Sequence, residues 1–254
     1  MRRTYVWDLD DTLMDNTHDY AKPILDACWL IVKTLGCRAP HVTEIINMEH
    51  EIDRRRVKEI NPKTGNPFLY SMKRFPGSQV ETYREICRKV GIKPETDVEK
   101  KLYSLGLRAF DKKRYLKDIK SEALPVLKFL ADQKDVSLLL TKGDNWVQKK
   151  KIAVLKTAGL LDYFSQVRIV DDKTPDDFEL FAKGYDGNNL YSVGNSYGSD
   201  IIPALKAGFR GIFIPVDTWE TAGEMEQIIS KVDKSRCWVL KNLSEIKDKY
   251  KEMK

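Results

Sequence analysis

The chain has 254 residues, is 42% hydrophobic and 32% charged, and carries 44 Lys and Arg against 38 Asp and Glu for a net +6 at neutral pH. That describes a globular chain long enough for one large core, or for a core plus a smaller domain. The longest uninterrupted apolar run, Ala27 to Val32, is too short to cross a bilayer.

Met-Arg-Arg-Thr-Tyr-Val-Trp-Asp at the N-terminus reads as a strand rather than a signal peptide, since it lacks an apolar centre and a cleavage site. Cys28, Cys37, Cys87 and Cys237 form no C-x-x-C pair, and the three histidines are dispersed. That argues against a zinc site or a disulfide scaffold and leads us to expect a reducing, cytoplasmic setting.

The first element is a buried strand over Tyr5–Leu9, with Asp8 set into an apolar run and Asp10-Asp11-Thr12 in the turn after it. A carboxylate at a buried strand end must be paired, hydrogen-bonded or bound to metal. It can otherwise build a turn and cap a helix.

Helices follow. Ile24, Cys28, Ile31 and Leu35 share a face that ends at Gly36, and Pro23 should start or kink that helix. Ile45, Met48 and Ile52 mark a second stretch, and Asn61–Pro67 reads as a loop. Ser78-x-x-Glu81 and Thr96-x-x-Glu99 read as capping boxes heading two more helices. No strand is expected from Asn16 to Asp118, so this stretch reads as an all-helical insertion. It is also the basic part of the chain: residues 51–118 hold 18 Lys and Arg against 10 Asp and Glu, or +8, leaving −2 elsewhere. Such a surface attracts anionic substrates, and Arg54 to Arg56 with Lys73 and Arg74, adjoining a loop with Phe68, Tyr70 and Phe75, are its better candidates, Lys73 and Arg74 being the substrate-binding ones.

From about Ile119 short strands alternate with helices. Strands are expected at Val136–Leu140, Val167–Val170, Leu190–Val193, Gly211–Ile214 and Trp238–Leu240. Helices are expected at Glu122–Asp132, Asp144–Thr157, Asp177–Lys183, after Asp200 and from Ser244. This alternation predicts an α/β fold with a doubly wound parallel sheet, the first strand included. We therefore expect a core of residues 1–15 and 119–254 and a helical cap of residues 16–118.

In such sheets ligands bind beyond the carboxyl ends of the strands, and four of those ends carry suitable chemistry. Asp8 and Asp10 follow the first, Thr141 and Lys142 the second, Lys173 the third, and Asn195 and Asp200 the fourth. Each residue alone has a structural role open to it as a cap, a turn or a surface charge; the coincidence of four ends favours a functional crevice.

The set resembles the haloacid dehalogenase-like superfamily, in its phosphatase branch, along the whole chain. The family's D-x-D-x-T is matched by Asp8-Leu9-Asp10-Asp11-Thr12, its strand-terminal Ser or Thr by Thr141, and its lysine by Lys173, which precedes Thr174-Pro175. Lys149-Lys150-Lys151 is the rival for the lysine but falls within a helix. The acidic motif G-D-x-x-x-x-D reads Gly194-Asn195-x-x-x-x-Asp200, with Asn195 where an Asp is usual.

The resemblance implies a magnesium-dependent phosphatase on a Rossmann-like core with an inserted helical cap. Asp8 would be the nucleophile and Asp10 the acid and base. Mg2+ would rest on Asp8, the Asp10 carbonyl, Asn195 and Asp200. Thr141 and Lys173 would hold the phosphoryl oxygens, with Lys142, Lys73 and Arg74 as further substrate contacts. The partner implied is a small phosphorylated metabolite, not a membrane. The residues for turnover count against a non-hydrolytic or nucleic-acid-binding module; a dehalogenase and a phosphomutase are the other chemistries of this fold.

Overall fold

The computed structural model describes residues 2–185, 189–218, 221 and 223–253. It divides into two compact units, residues 1–16 with 112–254, and residues 17–111.

The first unit is built on six parallel strands: β1 Thr4–Trp7, β2 Val136–Lys142, β3 Phe164–Val170, β4 Leu190–Gly194, β5 Arg210–Phe213 and β6 Cys237–Val239. Their spatial order is β3-β2-β1-β4-β5-β6, so the chain winds outward from β1 on one side and returns to β4 on the other. The reversal places β1 between β2 and β4, with Trp7 opposite both Leu139 and Val193. Strands covered on both faces read as continuous apolar runs, and β1 and all of β2 up to Thr141 are buried. One polar pair is matched within this core: Trp7 Nε1 donates to Ser137 Oγ at 3.1 Å.

The helices of this unit are α5 Ala123–Asp132, α6 Asn145–Thr157, α7 Pro175–Phe181, α8 Ile202–Lys206 and α9 Met225–Ser230, with α10 Glu245–Lys249 following the last strand. Residues 186–188, within the expected approach to β4, lie outside the described residues. The two segments linking this unit to the other pair antiparallel, Asp15 N–H donating to Asp118 O and Lys120 N–H to Leu13 O.

The second unit is helical: α1 His18–Leu35, α2 Val42–Arg56, α3 Arg74–Lys89 and α4 Thr96–Leu107; these four precede the six above in chain order. Its core joins Cys28, Ile31 and Leu35 to Ile45, Ile52, Tyr83 and Leu102. Pro23 lies inside α1, and Gly36 ends it with φ 58°.

Two expectations about caps are corrected. α3 begins four residues before Ser78, whose buried hydroxyl donates instead to Asp53 Oδ1 at 2.7 Å. At α4 the cap position is Glu95 and Thr96 is already helical, so no side chain of Thr96 caps it. A true capping box does occur where none was expected, between Thr174 and Asp177 at the start of α7.

Candidate active site

The turn after β1 organises the site. Asp8 N–H still donates to Val193 O at 2.9 Å, continuing the ladder. The Leu9 carbonyl then accepts from the N–H groups of Thr12, Leu13 and Met14, so the chain reverses within one turn. Asp11 takes the left-handed conformation there, φ 58°, which aspartate tolerates. The turn brings Thr12 back beside Asp8: its hydroxyl donates to Asp8 Oδ2 at 3.2 Å and lies 3.4 Å from Asn195 Oδ1.

Lys173, between β3 and α7, is drawn into the same place. Its ammonium lies 2.5 Å from Asp8 Oδ1 and 2.7 Å from Asp200 Oδ1. Asp200 belongs to a π-helical turn, Tyr197–Ile201, that follows β4. Its other oxygen accepts from Ser196 N–H at 2.9 Å, and its carbonyl from Ser192 Oγ at 2.8 Å. Gly194 makes room: a Cβ there would stand 2.3 Å from Asp200 Cβ.

Two buried carboxylates therefore share one buried ammonium. Burial raises the pKa of Asp8, Lys173 opposes that rise, and Asp200 and Asp10 add to it, with a net upward shift. Burial alone would lower the pKa of Lys173, but Asp200 and Asp8 together outweigh it and hold the lysine charged.

Thr141 ends the buried part of β2, and its hydroxyl is fully buried without a hydrogen-bond partner among the described residues. Such a group costs about 1–3 kcal/mol, and its position beside the β1 turn in a parallel sheet is where an anionic oxygen would accept from it. Lys142, next in the chain, donates to Ser199 Oγ at 2.6 Å and stands 4.0 Å from Asp172.

Asp10 is held differently. Its Oδ2 accepts from Gln148 Nε2 at 2.7 Å and its Oδ1 from Lys151 Nζ at 2.5 Å. Neither donor was among the candidate site residues; Lys151 was weighed only as the rival for the lysine position now occupied by Lys173. The signal was present in the helix phase: Val147, Lys151 and Leu155 are spaced by four and are all buried on α6, whereas Lys149 is exposed.

Lys73 and Arg74 belong to the helical unit. Lys73 is exposed, while Arg74 is buried, its Nη1 paired with Asp53 Oδ2 at 2.7 Å and donating to the Asp53 carbonyl at 3.0 Å.

A divalent cation fits the donors present. Asp8, Asp200 and Asn195 offer carboxylate and amide oxygens, the hard ligands that magnesium takes. Asn195 Oδ1 and Asp8 Oδ2 both lie within reach of the one Thr12 hydroxyl.

No family model matches the sequence, and no curated protein matches it. Solved structures do match. A haloacid dehalogenase-like family hydrolase from Xanthomonas campestris is 20% identical, with 99% of this chain and 91% of that chain covered and a TM-score of 0.69. The chain has the haloacid dehalogenase-like fold. An HAD phosphatase from Thermococcus onnurineus matches it at 16% identity over 98% of this chain and 97% of that one, TM-score 0.56. An L-2-haloacid dehalogenase from Xanthobacter autotrophicus matches at 17% identity over the whole of both chains, TM-score 0.54. The haloacid dehalogenase-like fold thus carries at least two chemistries among these neighbours, and identities this low show fold alone.

Proposed function

We propose that the protein is a magnesium-dependent phosphatase that hydrolyses a small phosphorylated metabolite through an aspartyl-phosphate on Asp8. The observation that carries this reading is the convergence of Asp8, Lys173 and Asp200 within hydrogen-bond distance, with the buried Thr141 hydroxyl, unpartnered among the described residues, at the carboxyl end of the adjacent strand β2. No described helix is long and apolar enough to cross a membrane.

Asp8 is the nucleophile: its carboxylate oxygen forms a bond to phosphorus as the bond from phosphorus to the substrate's bridging oxygen breaks. The Asp10 carboxyl gives its proton to that oxygen, so an alcohol leaves, and then takes a proton from the water that splits the aspartyl-phosphate. Lys173 and the Thr141 hydroxyl donate to the phosphoryl oxygens, where charge develops. Lys142, anchored to Ser199, is a further cation for the substrate. Asp8, the Asp10 carbonyl, Asn195 and Asp200 would hold Mg2+, which when bound offsets the negative charge of the phosphoryl group. In the helical unit, Lys73 is the exposed cation of the two assigned to substrate, because Arg74 is already paired with Asp53.

A second carboxylate two residues after the first favours phosphoryl chemistry over dehalogenation, since a halide leaves without a proton. The experiment is phosphate release across a panel of nucleotides, sugar phosphates and phospho-acids, with magnesium and with chelator. Magnesium-dependent release supports the reading. Halide release from haloacids in chelator, with no phosphate release, overturns it.

A further inference from the structure

Asp10 is gripped by two side chains that the mechanism above does not use. Lys151 Nζ donates to one of its carboxylate oxygens at 2.5 Å and Gln148 Nε2 to the other at 2.7 Å. Both donors are only 3% exposed. They lie three residues apart on α6 and so share a face of that helix.

Each is fixed from behind as well. Lys151 Nζ also donates to Asn16 Oδ1 at 2.7 Å, and the Asn16 N–H donates to Asp11 Oδ1 at 2.8 Å, so the lysine is tied to the same turn that carries Asp10. Gln148 Nε2 also donates to Lys142 O at 3.1 Å. Two acceptors on that nitrogen fix which end of the amide faces Asp10. Gly143 leaves the space for it: a Cβ there would fall 2.9 Å from Gln148 Nε2.

We infer that Lys151 and Gln148 are positioning residues, which hold the Asp10 carboxyl in the one orientation from which it serves the leaving oxygen. The inference rests on the phosphatase reading above. Two donors acting on the two oxygens of one carboxyl fix its plane as well as its place, which a single hydrogen bond does not. Proton transfer to a leaving group requires placement within hydrogen-bond reach, and a displacement of about 1 Å can cost on the order of 100-fold. A short buried lysine contact with no part in orientation would serve only the stability of the turn.

Leaving-group dependence separates these roles. An alkyl phosphate needs its leaving oxygen protonated, whereas the aryl oxygen of para-nitrophenyl phosphate leaves readily as an anion. Steady-state kinetics are measured with para-nitrophenyl phosphate and with the fastest alkyl phosphate of the panel. Lys151→Met should lower kcat for the alkyl ester on the order of 100-fold with KM little changed, and should lower kcat for the aryl ester by about tenfold or less. Gln148→Leu should give the same asymmetry with smaller losses, and Lys151→Arg should restore part of the alkyl rate. If Lys151→Met does not fold, Gln148→Leu carries the test, because it leaves the charges unchanged. An active wild type whose variants lose equally on both esters, or change only in KM, overturns the inference and leaves the phosphatase reading standing. A wild type inactive on both esters overturns the two together.

Discussion

Lys173 Nζ lies 2.5 Å from Asp8 Oδ1, and both side chains are removed from solvent. The same ammonium reaches Asp200 at 2.7 Å. One cation therefore compensates two buried carboxylates. Removing it leaves both uncompensated, and breaking a buried pair in this way costs about 3–5 kcal/mol. Lys173→Met should lower the unfolding free energy by about that amount in urea titrations run with chelator. A change within error would mean that the two carboxylates do not depend on Lys173.

Thr141 is expected to behave in the opposite way. Its hydroxyl is buried and has no partner among the described residues, so it costs stability where it stands. Thr141→Val should be as stable as the wild type or more stable, yet should lose phosphatase activity on the order of 100-fold or more, the loss seen for one oxyanion donor. Unfolding curves and kinetics on the same preparations decide it. Full activity in Thr141→Val would remove the hydroxyl from the mechanism.

Asn195 follows β4 as a neutral oxygen donor, with its amide oxygen 3.4 Å from the Thr12 hydroxyl. Asn195→Asp adds a carboxylate oxygen, which a hard cation prefers. Magnesium should half-saturate Asn195→Asp at lower concentration than wild type, and Asn195→Ala at higher concentration. Three superimposable magnesium titrations of activity would mean that Asn195 is not a ligand.

The helical unit carries its own buried acid. Glu49 is 4% exposed, and burial raises its pKa well above the usual value, Asp53 adding to the rise and Arg74 opposing it. A raised folded pKa means that the folded chain keeps a proton the unfolded chain loses above about pH 4.3. Stability linked to this group is thus fully present below that pH and is lost as pH rises toward the folded pKa. Glu49→Gln should be more stable than wild type at pH 8, with the difference vanishing below about pH 4 in unfolding experiments. A constant difference across that range would mean that Glu49 does not titrate abnormally.

How much of this was legible beforehand follows from what each signal encodes. The strands were readable because parallel strands buried on both faces are continuous apolar runs, as Leu138-Leu139-Leu140 is. The residues at their ends followed from position alone, and the structure brings Asp8, Lys173 and Asp200 to one point. Local patterns fared worse where tertiary contacts compete for the same side chain. Ser78 fits a capping box, but α3 starts earlier and Asp53 takes its hydroxyl. Lys151 sits in a run of three lysines that composition treats alike; only the phase set by Val147 and Leu155 separates it from Lys149. Its contact with Asp10, 141 positions away in the chain, was beyond any local pattern.

Transfer of the phosphoryl group to Asp8 can be trapped in a quenched-flow experiment. The wild type and Asp8→Asn are mixed with a radiolabelled phosphate monoester and magnesium, quenched in acid, and assayed for label on the protein and for released phosphate. Hydroxylamine-labile label is expected on the wild type, turning over at the rate of phosphate release, with neither label nor release in Asp8→Asn. Phosphate release by a folded Asp8→Asn variant at the wild-type rate would contradict that transfer.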